Sequence, residues 1–189
     1  EDKVSFIKDI SGLNYRLAGE VIGAADEVVP MILKGGGIKN TLIISPPGAG
    51  KTTMLRDIVR QLSYKSYRVS VVDERSEIAA LCEGRSAFDL GFSTDVLEGV
   101  DKAEGMLMVL RSMSPDVIVT DEIGKQSDID AIERITNSGA AVIATIHGRN
   151  IDMIKRRDDL KRMLKFFDLI ITLSKRKGIG TVEEALTEW

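Results

Sequence analysis

The sequence predicts an α/β fold, in which a mainly parallel sheet is covered by helices on both faces and ends in a C-terminal antiparallel edge hairpin. Short, almost continuous apolar runs alternate with segments of helical periodicity. This alternation is typical of parallel strands that are buried on both faces. The 189 residues, of which 43% are hydrophobic and 29% charged, suffice for one well-buried domain.

The apolar runs that we expect to form parallel strands cover residues 41–44, 68–73, 116–120, 141–146 and 169–173. Helices are predicted directly after residue 50, over 102–113 with Asp101 as the N-cap, and over 127–137. Residues 175–180 are expected to turn, so that 181–186 return as the antiparallel edge strand. The stretch 82–99 is rich in Gly, Ser and Asp, which predicts a long loop, and loops of that length are often functional.

Residues 1–40 are interpreted as a lead-in segment, and residues 41–189 as the core. Within the lead-in, 5–10 and 13–17 are each expected to be a short strand or turn, and 20–33 to be partly helical. The chain begins with Glu1 rather than Met. We therefore expect it to be a fragment of a longer protein.

A Gly-rich turn after the first predicted strand has the pattern of a phosphate-binding P-loop, which aims backbone N–H groups at a polyphosphate. Lys51 is expected to reach the β- and γ-phosphates of ATP, and the Thr52 hydroxyl to ligate Mg²⁺. Ser45 replaces the first glycine of the usual pattern, and an ordinary Gly/Pro turn is the alternative. The pattern favours a RecA-like P-loop NTPase whose nucleotide is held by Pro47, Gly48, Ala49, Gly50, Lys51, Thr52 and Thr53.

Acidic residues follow the third predicted strand, at the carboxyl end where ligands of parallel sheets bind. Asp121 suits a carboxylate that holds Mg²⁺, directly or through water. Glu122 is then placed to orient and polarise the water that attacks the γ-phosphate. The alternative is a solvated acidic turn.

Two further strand ends carry candidate catalytic groups. Glu74 follows the second strand in an Asp-Glu-Arg segment that resembles the Gly-Glu-Arg segment of rotary ATPases, and we rank it after Glu122 as a catalytic base. An ion pair with Arg75 or another arginine is the structural alternative. His147 follows the fourth strand and suits a γ-phosphate sensor, although it could also be a satisfied loop histidine.

Three arginines are candidates for an arginine finger, a residue that stabilises transition-state charge and often comes from a neighbouring subunit. They are Arg85, Arg111 and Arg149, and the sequence does not choose among them. A finger supplied in trans predicts a homo-oligomer.

Composition argues against several other classes of protein. The net charge of -3 lacks the broad positive field that nonspecific nucleic-acid binding needs, and the basic groups near residues 155–162 alternate with acids as on a solvated helix. The single cysteine, Cys82, excludes an intramolecular disulfide and fits a reducing compartment. No apolar run approaches the ~20 residues of a membrane-spanning helix.

The chain resembles the stage III sporulation protein AA family in residues 11–14, 20–26, the P-loop, 72–78, 102–106, 111–115, 121–124 and 144–148. The resemblance implies an ATPase in the cytoplasm of the mother cell of endospore-forming bacteria, peripheral to a membrane complex. Its expected partner is the membrane-bound channel protein that links mother cell and forespore. Similarity of that family to secretion ATPases implies a ring, most simply a hexamer.

A second class of function stays open at this point. In it, nucleotide binding switches the conformation of a nucleic-acid-binding or assembly factor, and hydrolysis is incidental. The acidic balance of the chain favours the motor instead.

Overall fold

A computed structural model of the protein describes residues 8–12 and 19–189. The predicted short element over 13–17 lies outside the described residues, and so does most of the one over 5–10. Among the described helices, none is long and apolar enough to cross a membrane.

The core is a seven-stranded sheet with the order β5-β2-β6-β7-β1-β8-β9. All neighbouring pairs are parallel except β8 and β9, which form the C-terminal antiparallel hairpin at the sheet edge. The predicted fold class is therefore confirmed. Its strands are β1 (Thr41–Ser45), β2 (Val69–Asp73), β5 (Thr94–Glu98), β6 (Val117–Thr120), β7 (Ala141–His147), β8 (Leu169–Ser174) and β9 (Thr181–Leu186), while β3 (Leu81–Cys82) and β4 (Arg85–Ser86) form a separate small hairpin.

Helices cover both faces of the sheet. The apolar side chains of β1 therefore divide between two core clusters. Ile43 belongs to the cluster that contains α1 and α2, whereas Leu42 and Ile44 belong to the cluster that contains α3, α4, α5 and α6. The helices are α1 (Val29–Ile32), α2 (Lys51–Tyr64), α3 (Lys102–Ser112), α4 (Gln126–Asn137), α5 (Ile151–Lys155) and α6 (Asp158–Lys161), followed by a 3₁₀ helix over Arg162–Phe166.

The stretch 82–99 contains a strand, β5, where the sequence predicts only a loop. β5 pairs with β2 at the edge of the sheet, so it has one neighbouring strand instead of two. An edge strand buries less surface than a central one, and Val96 and Leu97 are its only aliphatic residues. The apolar run that reveals a central strand is therefore missing here.

Helix α3 packs closely on β2 through a glycine. A Cβ atom on Gly105 would lie 2.7 Å from Cγ1 of Val72, so a larger residue would push the helix off the sheet. Asp101 is the N-cap of this helix, as predicted, because its side chain accepts hydrogen bonds from the N–H groups of Ala103 and Glu104.

The segment before β1 packs on α2. Its buried residues Ala25, Val28, Val29 and Ile32 belong to the same apolar cluster as α2. The buried carboxylate of Asp57 on α2 also accepts a hydrogen bond of 2.8 Å from the N–H of Ala25. Of the predicted helical stretch 20–33, only α1 is α-helical, and turns precede it. The division into a lead-in segment and a core at residue 41 stays a prediction.

Candidate functional site

The sheet brings the predicted site residues together at the carboxyl ends of its strands, because β1, β7 and β6 are adjacent and parallel. Ser45, where the P-loop begins, is the register partner of His147 at the end of β7. β6 pairs with the other side of β7 and ends directly before Asp121 and Glu122. The P-loop, the two acids and the histidine therefore lie together at the carboxyl ends of three central strands.

The P-loop connects β1 to α2 in a conformation that requires glycine at two positions. Gly48 and Gly50 have φ angles of 68° and 93°, in the left-handed region that side chains disfavour. Lys51 is the first residue of α2, so the unpaired N–H groups of the helix N-terminus face the loop. A Cβ atom on Gly48 would also lie 3.0 Å from Nζ of Lys175, which brings a further cation to the loop.

Glu122 is the side chain on which the site converges. Its Oε1 lies 2.7 Å from Nε2 of His147 and 3.4 Å from Nζ of Lys51. Its Oε2 accepts a hydrogen bond of 3.0 Å from Nη1 of Arg75. One carboxylate thus contacts the P-loop lysine, the histidine that ends β7 and an arginine that follows β2.

The backbone of Glu122 is held in an uncommon conformation. Its φ is +39°, in the left-handed region, and its N–H donates a hydrogen bond of 3.0 Å to Oγ1 of Thr145. The N–H of Ile123 bonds to the carbonyl oxygen of Thr145 at 2.9 Å. These contacts with β7 fix the direction in which the Glu122 side chain leaves the strand end.

The pKa of Glu122 lies below its ordinary value. Partial burial opposes this shift, but the hydrogen bond with His147 and the charges of Lys51, His147 and Arg75 outweigh it. These contacts favour the ionised form of the carboxylate, which is the form that can accept a proton from water.

Asp121 is paired with a buried lysine. Nζ of Lys102 lies 3.3 Å from Oδ1 of Asp121 and donates a hydrogen bond of 3.1 Å to the carbonyl oxygen of Glu122. Burial raises the pKa of Asp121 above its ordinary value, and the Lys102 charge offsets only part of that rise. The lysine therefore supplies the positive charge that this carboxylate needs in its buried position.

Glu74 lies beside this pair and not beside Lys51. Its carboxylate is 3.7 Å from Nζ of Lys102 and 3.9 Å from Nζ of Lys125. Among residues 8–12 and 19–189, the cations beside Glu74 are these two lysines and not the arginine of the expected ion pair. Asp73, the residue before it, is fully buried, and its carboxylate accepts hydrogen bonds from the N–H groups of Glu77, Ile78 and Ala79.

The residues predicted to hold Mg²⁺ fit a metal that is shared with a phosphate. Thr52 offers a hydroxyl on the first turn of α2 and Asp121 a carboxylate at the end of β6, and both are the hard oxygen ligands that Mg²⁺ prefers. Within residues 8–12 and 19–189, no group of three or more His, Cys, Asp or Glu side chains could hold a metal alone. Phosphate oxygens would complete the coordination in such a site.

The three candidate arginines lie apart from one another. Arg85 is exposed in the small β3–β4 hairpin, and Arg111 is exposed in the last turn of α3. Arg149 is exposed in the loop after His147 and lines a cavity of about 390 Å³ with Pro46, Pro47 and His147. Of the three, Arg149 is the one that lies beside the P-loop.

Sequence reasoning missed two residues of the site, Arg75 and Lys102. The signal for Arg75 was its place directly after the strand end that carries Asp73 and Glu74, since such ends gather at one edge of the sheet. Lys102 carried no comparable signal, because a lysine in the first turn of a helix is usually solvated. Here that turn packs against the end of β6, and only 5% of the lysine is exposed.

Comparison with known proteins gives a family match over almost the whole chain. The family model described as sporulation stage III, protein AA, matches residues 1–188. The stage III sporulation protein AA of Bacillus subtilis strain 168 is 40% identical over 188 residues, which cover 96% of this chain and 61% of the relative. The chain thus spans less than two thirds of that relative.

Solved structures of P-loop ATPases share the fold. The ATPase DotB of Legionella pneumophila superposes with a TM-score of 0.58 at 21% identity, covering 78% of this chain and 43% of DotB. The pilus retraction motor PilT, solved with ADP, has a TM-score of 0.56 at 20% identity, covering 78% of this chain and 45% of PilT. At this level of identity the similarity shows the fold alone.

Proposed function

The chain belongs to the stage III sporulation protein AA family, and from this premise we propose that it binds and hydrolyses ATP as the motor domain of a channel or secretion complex between mother cell and forespore. The observation that carries the proposal is the convergence of Lys51 and His147 on the carboxylate of Glu122, next to a P-loop. A carboxylate so placed is within reach of a water molecule beside a γ-phosphate and can accept its proton.

Nucleotide binding uses the P-loop and its helix. The N–H groups of the loop and of the α2 N-terminus donate hydrogen bonds to the phosphate oxygens. Lys51 neutralises charge on the β- and γ-phosphates. Thr52 and Asp121 would hold Mg²⁺, which would supply positive charge to the phosphates. Thr53 and the residues from Pro47 to Gly50 complete the cradle.

Hydrolysis uses Glu122 as the catalytic base. Nζ of Lys51 lies 3.4 Å from this carboxylate, and a γ-phosphate on the P-loop competes for the same ammonium group. Loss of that partner leaves Glu122 free to orient a water molecule and accept its proton. His147 remains hydrogen-bonded to Glu122 and transmits the presence of the γ-phosphate, whereas Glu74 is the second candidate base.

Charge that develops in the transition state needs further cations. Arg75 of the same subunit contacts the second carboxylate oxygen of Glu122 at 3.0 Å. Arg149 at the rim of the site suits donation to a neighbouring subunit in a ring. The proposed assembly is a homo-oligomer, most simply a hexamer, in the mother-cell cytoplasm and peripheral to a membrane-bound channel protein.

The proposal is tested by titrating the protein with Mg-ATP in a calorimeter and measuring phosphate release in parallel. Lys51→Ala should weaken ATP binding severely, whereas Lys34→Ala, which removes an exposed lysine outside the site, should not. Near-normal ATP affinity in Lys51→Ala would contradict the proposal.

The second candidate function is a nucleotide-switched nucleic-acid-binding or assembly factor. It is distinguished from the motor by which partner stimulates ATP hydrolysis. The motor requires stimulation by the cytoplasmic part of its membrane partner. Stimulation by single-stranded DNA or RNA alone would favour the alternative.

A further inference from the structure

A cleft of about 500 Å³ lies beside the P-loop and plays no part in the chemistry described so far. One wall is the turn of the β8–β9 hairpin, with Lys177, Ile179 and Gly180. The other wall is the segment 23–27 of the lead-in, which contributes Asp26 and Glu27. The cleft therefore forms between two segments that are distant in sequence and meet next to the P-loop.

The hairpin wall is joined directly to the P-loop. The N–H of Gly180 donates a hydrogen bond of 3.1 Å to the carbonyl oxygen of Ala49. Cγ2 of Ile179 lies 3.0 Å from the position that a Cβ atom on Gly50 would take. Any ligand on the loop at this side therefore meets the hairpin turn.

The opposite wall is fixed by hydrogen bonds to α2, the helix that follows the P-loop. Nε2 of Gln61 donates to Oδ1 of Asp26 and to Oδ2 of Asp57, each at 2.8 Å. Because the same carboxylate of Asp57 also accepts a hydrogen bond from the N–H of Ala25, contacts within the chain hold both walls against the P-loop and its helix.

The order of the strands decides which end of a nucleotide reaches the cleft. β7 and β6, which end at His147 and before Asp121, lie on one side of β1, whereas β8 and its hairpin lie on the other side. The γ-phosphate belongs on the side of Glu122 and His147. The nucleoside end of the same molecule must therefore leave the P-loop away from them, toward the hairpin.

The chemistry of the walls suits a nucleoside. Ile179 exposes 75% of its surface at the turn, which offers an apolar side to the face of a base. Asp26 and Glu27 are exposed carboxylates that accept hydrogen bonds, and ribose hydroxyls are donors. Sites for small molecules commonly combine an apolar wall with a few polar groups in this way.

We propose that the cleft between residues 23–27 and the β8–β9 turn is the binding site for the base and ribose of the nucleotide. The inference rests on the proposed function, since it assumes that a nucleotide occupies the P-loop. The base lies against Ile179, and the ribose hydroxyls face Asp26 and Glu27. The hairpin and the lead-in segment then act together as the part of the chain that distinguishes a nucleotide from a bare polyphosphate.

The experiment compares Mg-ATP with Mg-tripolyphosphate, which has the phosphates but no nucleoside, by calorimetric titration of the same protein. We expect Ile179→Ser to weaken ATP binding about tenfold or more, the usual effect of losing one apolar contact in a ligand pocket. Tripolyphosphate affinity should stay unchanged. Met108→Ser, at an apolar residue of α3 that is 46% exposed and outside the cleft, is the matched control and should bind both ligands normally.

A second variant, Glu27→Gln, tests the polar wall with little change of shape, and it too should weaken ATP binding alone. Equal affinity of the unaltered protein for ATP and tripolyphosphate would overturn the nucleoside site and leave the proposed function intact. So would a loss of both affinities, or of neither, in Ile179→Ser. Failure of the unaltered protein to bind either ligand would overturn the proposed function itself.

Discussion

Lys102 Nζ lies 3.3 Å from Oδ1 of Asp121, and each side chain is about 5% exposed. Asp121 is also the carboxylate that we propose as a ligand of Mg²⁺. A buried ion pair stabilises a fold less than its geometry suggests, but the loss of one partner leaves an uncompensated buried charge. Lys102 therefore links the stability of the domain to the charge on this proposed metal ligand.

We expect Lys102→Met to lower the free energy of unfolding by about 3 kcal/mol in the absence of Mg²⁺, the scale for breaking a buried pair. Added Mg-nucleotide should stabilise the variant more than the unaltered protein, because the metal neutralises Asp121 instead. Urea denaturation with and without Mg-nucleotide measures both effects. Lys125→Met is the control, since this lysine also contacts Glu74 but its side chain is 64% exposed, and the expected loss is under about 1 kcal/mol.

Glu122→Gln should keep ATP affinity and slow hydrolysis by about 10²-fold or more, the effect of losing a positioned base. Glu74→Gln should slow it less, because the Glu74 carboxylate contacts Lys102 and Lys125, whereas Lys51 and His147 contact Glu122. Single-turnover rates at saturating Mg-ATP give the ranking. The reverse order would assign the base to the end of β2.

Asp57 provides a test of pH-dependent stability. Its burial tends to raise its pKa, but hydrogen bonds from the N–H of Ala25 and from Arg60 and Gln61 lower the pKa below its ordinary value. A lowered pKa in the folded state means that the stabilisation is complete above the unfolded pKa of about 3.9 and is lost as the pH falls through the folded pKa.

We therefore expect Asp57→Asn to lower the free energy of unfolding by about 1–3 kcal/mol at pH 7. The difference from the unaltered protein should shrink progressively below about pH 4. Urea denaturation across this range measures it. Asp95→Asn, at an exposed position of β5, should change stability by under about 0.5 kcal/mol, and a pH-independent difference for Asp57→Asn would rule out the proposed cause.

The sequence revealed the central strands and the P-loop because both depend on local patterns. β1, β2, β6, β7 and β8 are apolar runs because the sheet buries them, and the glycines of the P-loop are needed for their φ angles. β5 escaped prediction because a strand at the edge of the sheet needs fewer apolar residues. The other edge strand, β9, was predicted from the turn over 175–180 that folds it back onto β8, a signal that β5 lacks.

The contacts between site residues depended on tertiary packing and so could not be predicted. The adjacency of β6 and β7 decides that Glu122 meets His147, and no spacing in the sequence states which strands are neighbours. Arg75 and Lys102 reach the acids for the same reason, since they come from the end of β2 and the start of α3. The residue types were visible in the sequence, but their partners were not.

The two arginines beside the site, Arg75 and Arg149, are expected to act from different subunits. Arg75 contacts Glu122 of its own chain at 3.0 Å, whereas Arg149 is exposed at the rim beside Pro47 and His147. We expect Arg149→Ala and Arg75→Ala each to slow hydrolysis, while Arg111→Ala, on the last turn of α3, should have little effect. Specific activity should rise with protein concentration as the ring assembles.

Mixing Glu122→Gln subunits with arginine-deficient subunits shows which arginine acts from a neighbouring subunit. Glu122→Gln subunits retain Arg149, so they can donate it to the intact base of an Arg149→Ala neighbour, and part of the phosphate release should return. The same mixture with Arg75→Ala subunits should gain no activity over its separate components, because no single site then has both its own base and its own Arg75. If phosphate release returned in the Arg75→Ala mixture, Arg75 would be the arginine that acts from a neighbouring subunit. Activity strictly proportional to protein concentration, with a monomeric mass in Mg-ATP, would show that the domain works alone, because a residue supplied in trans requires a neighbouring subunit.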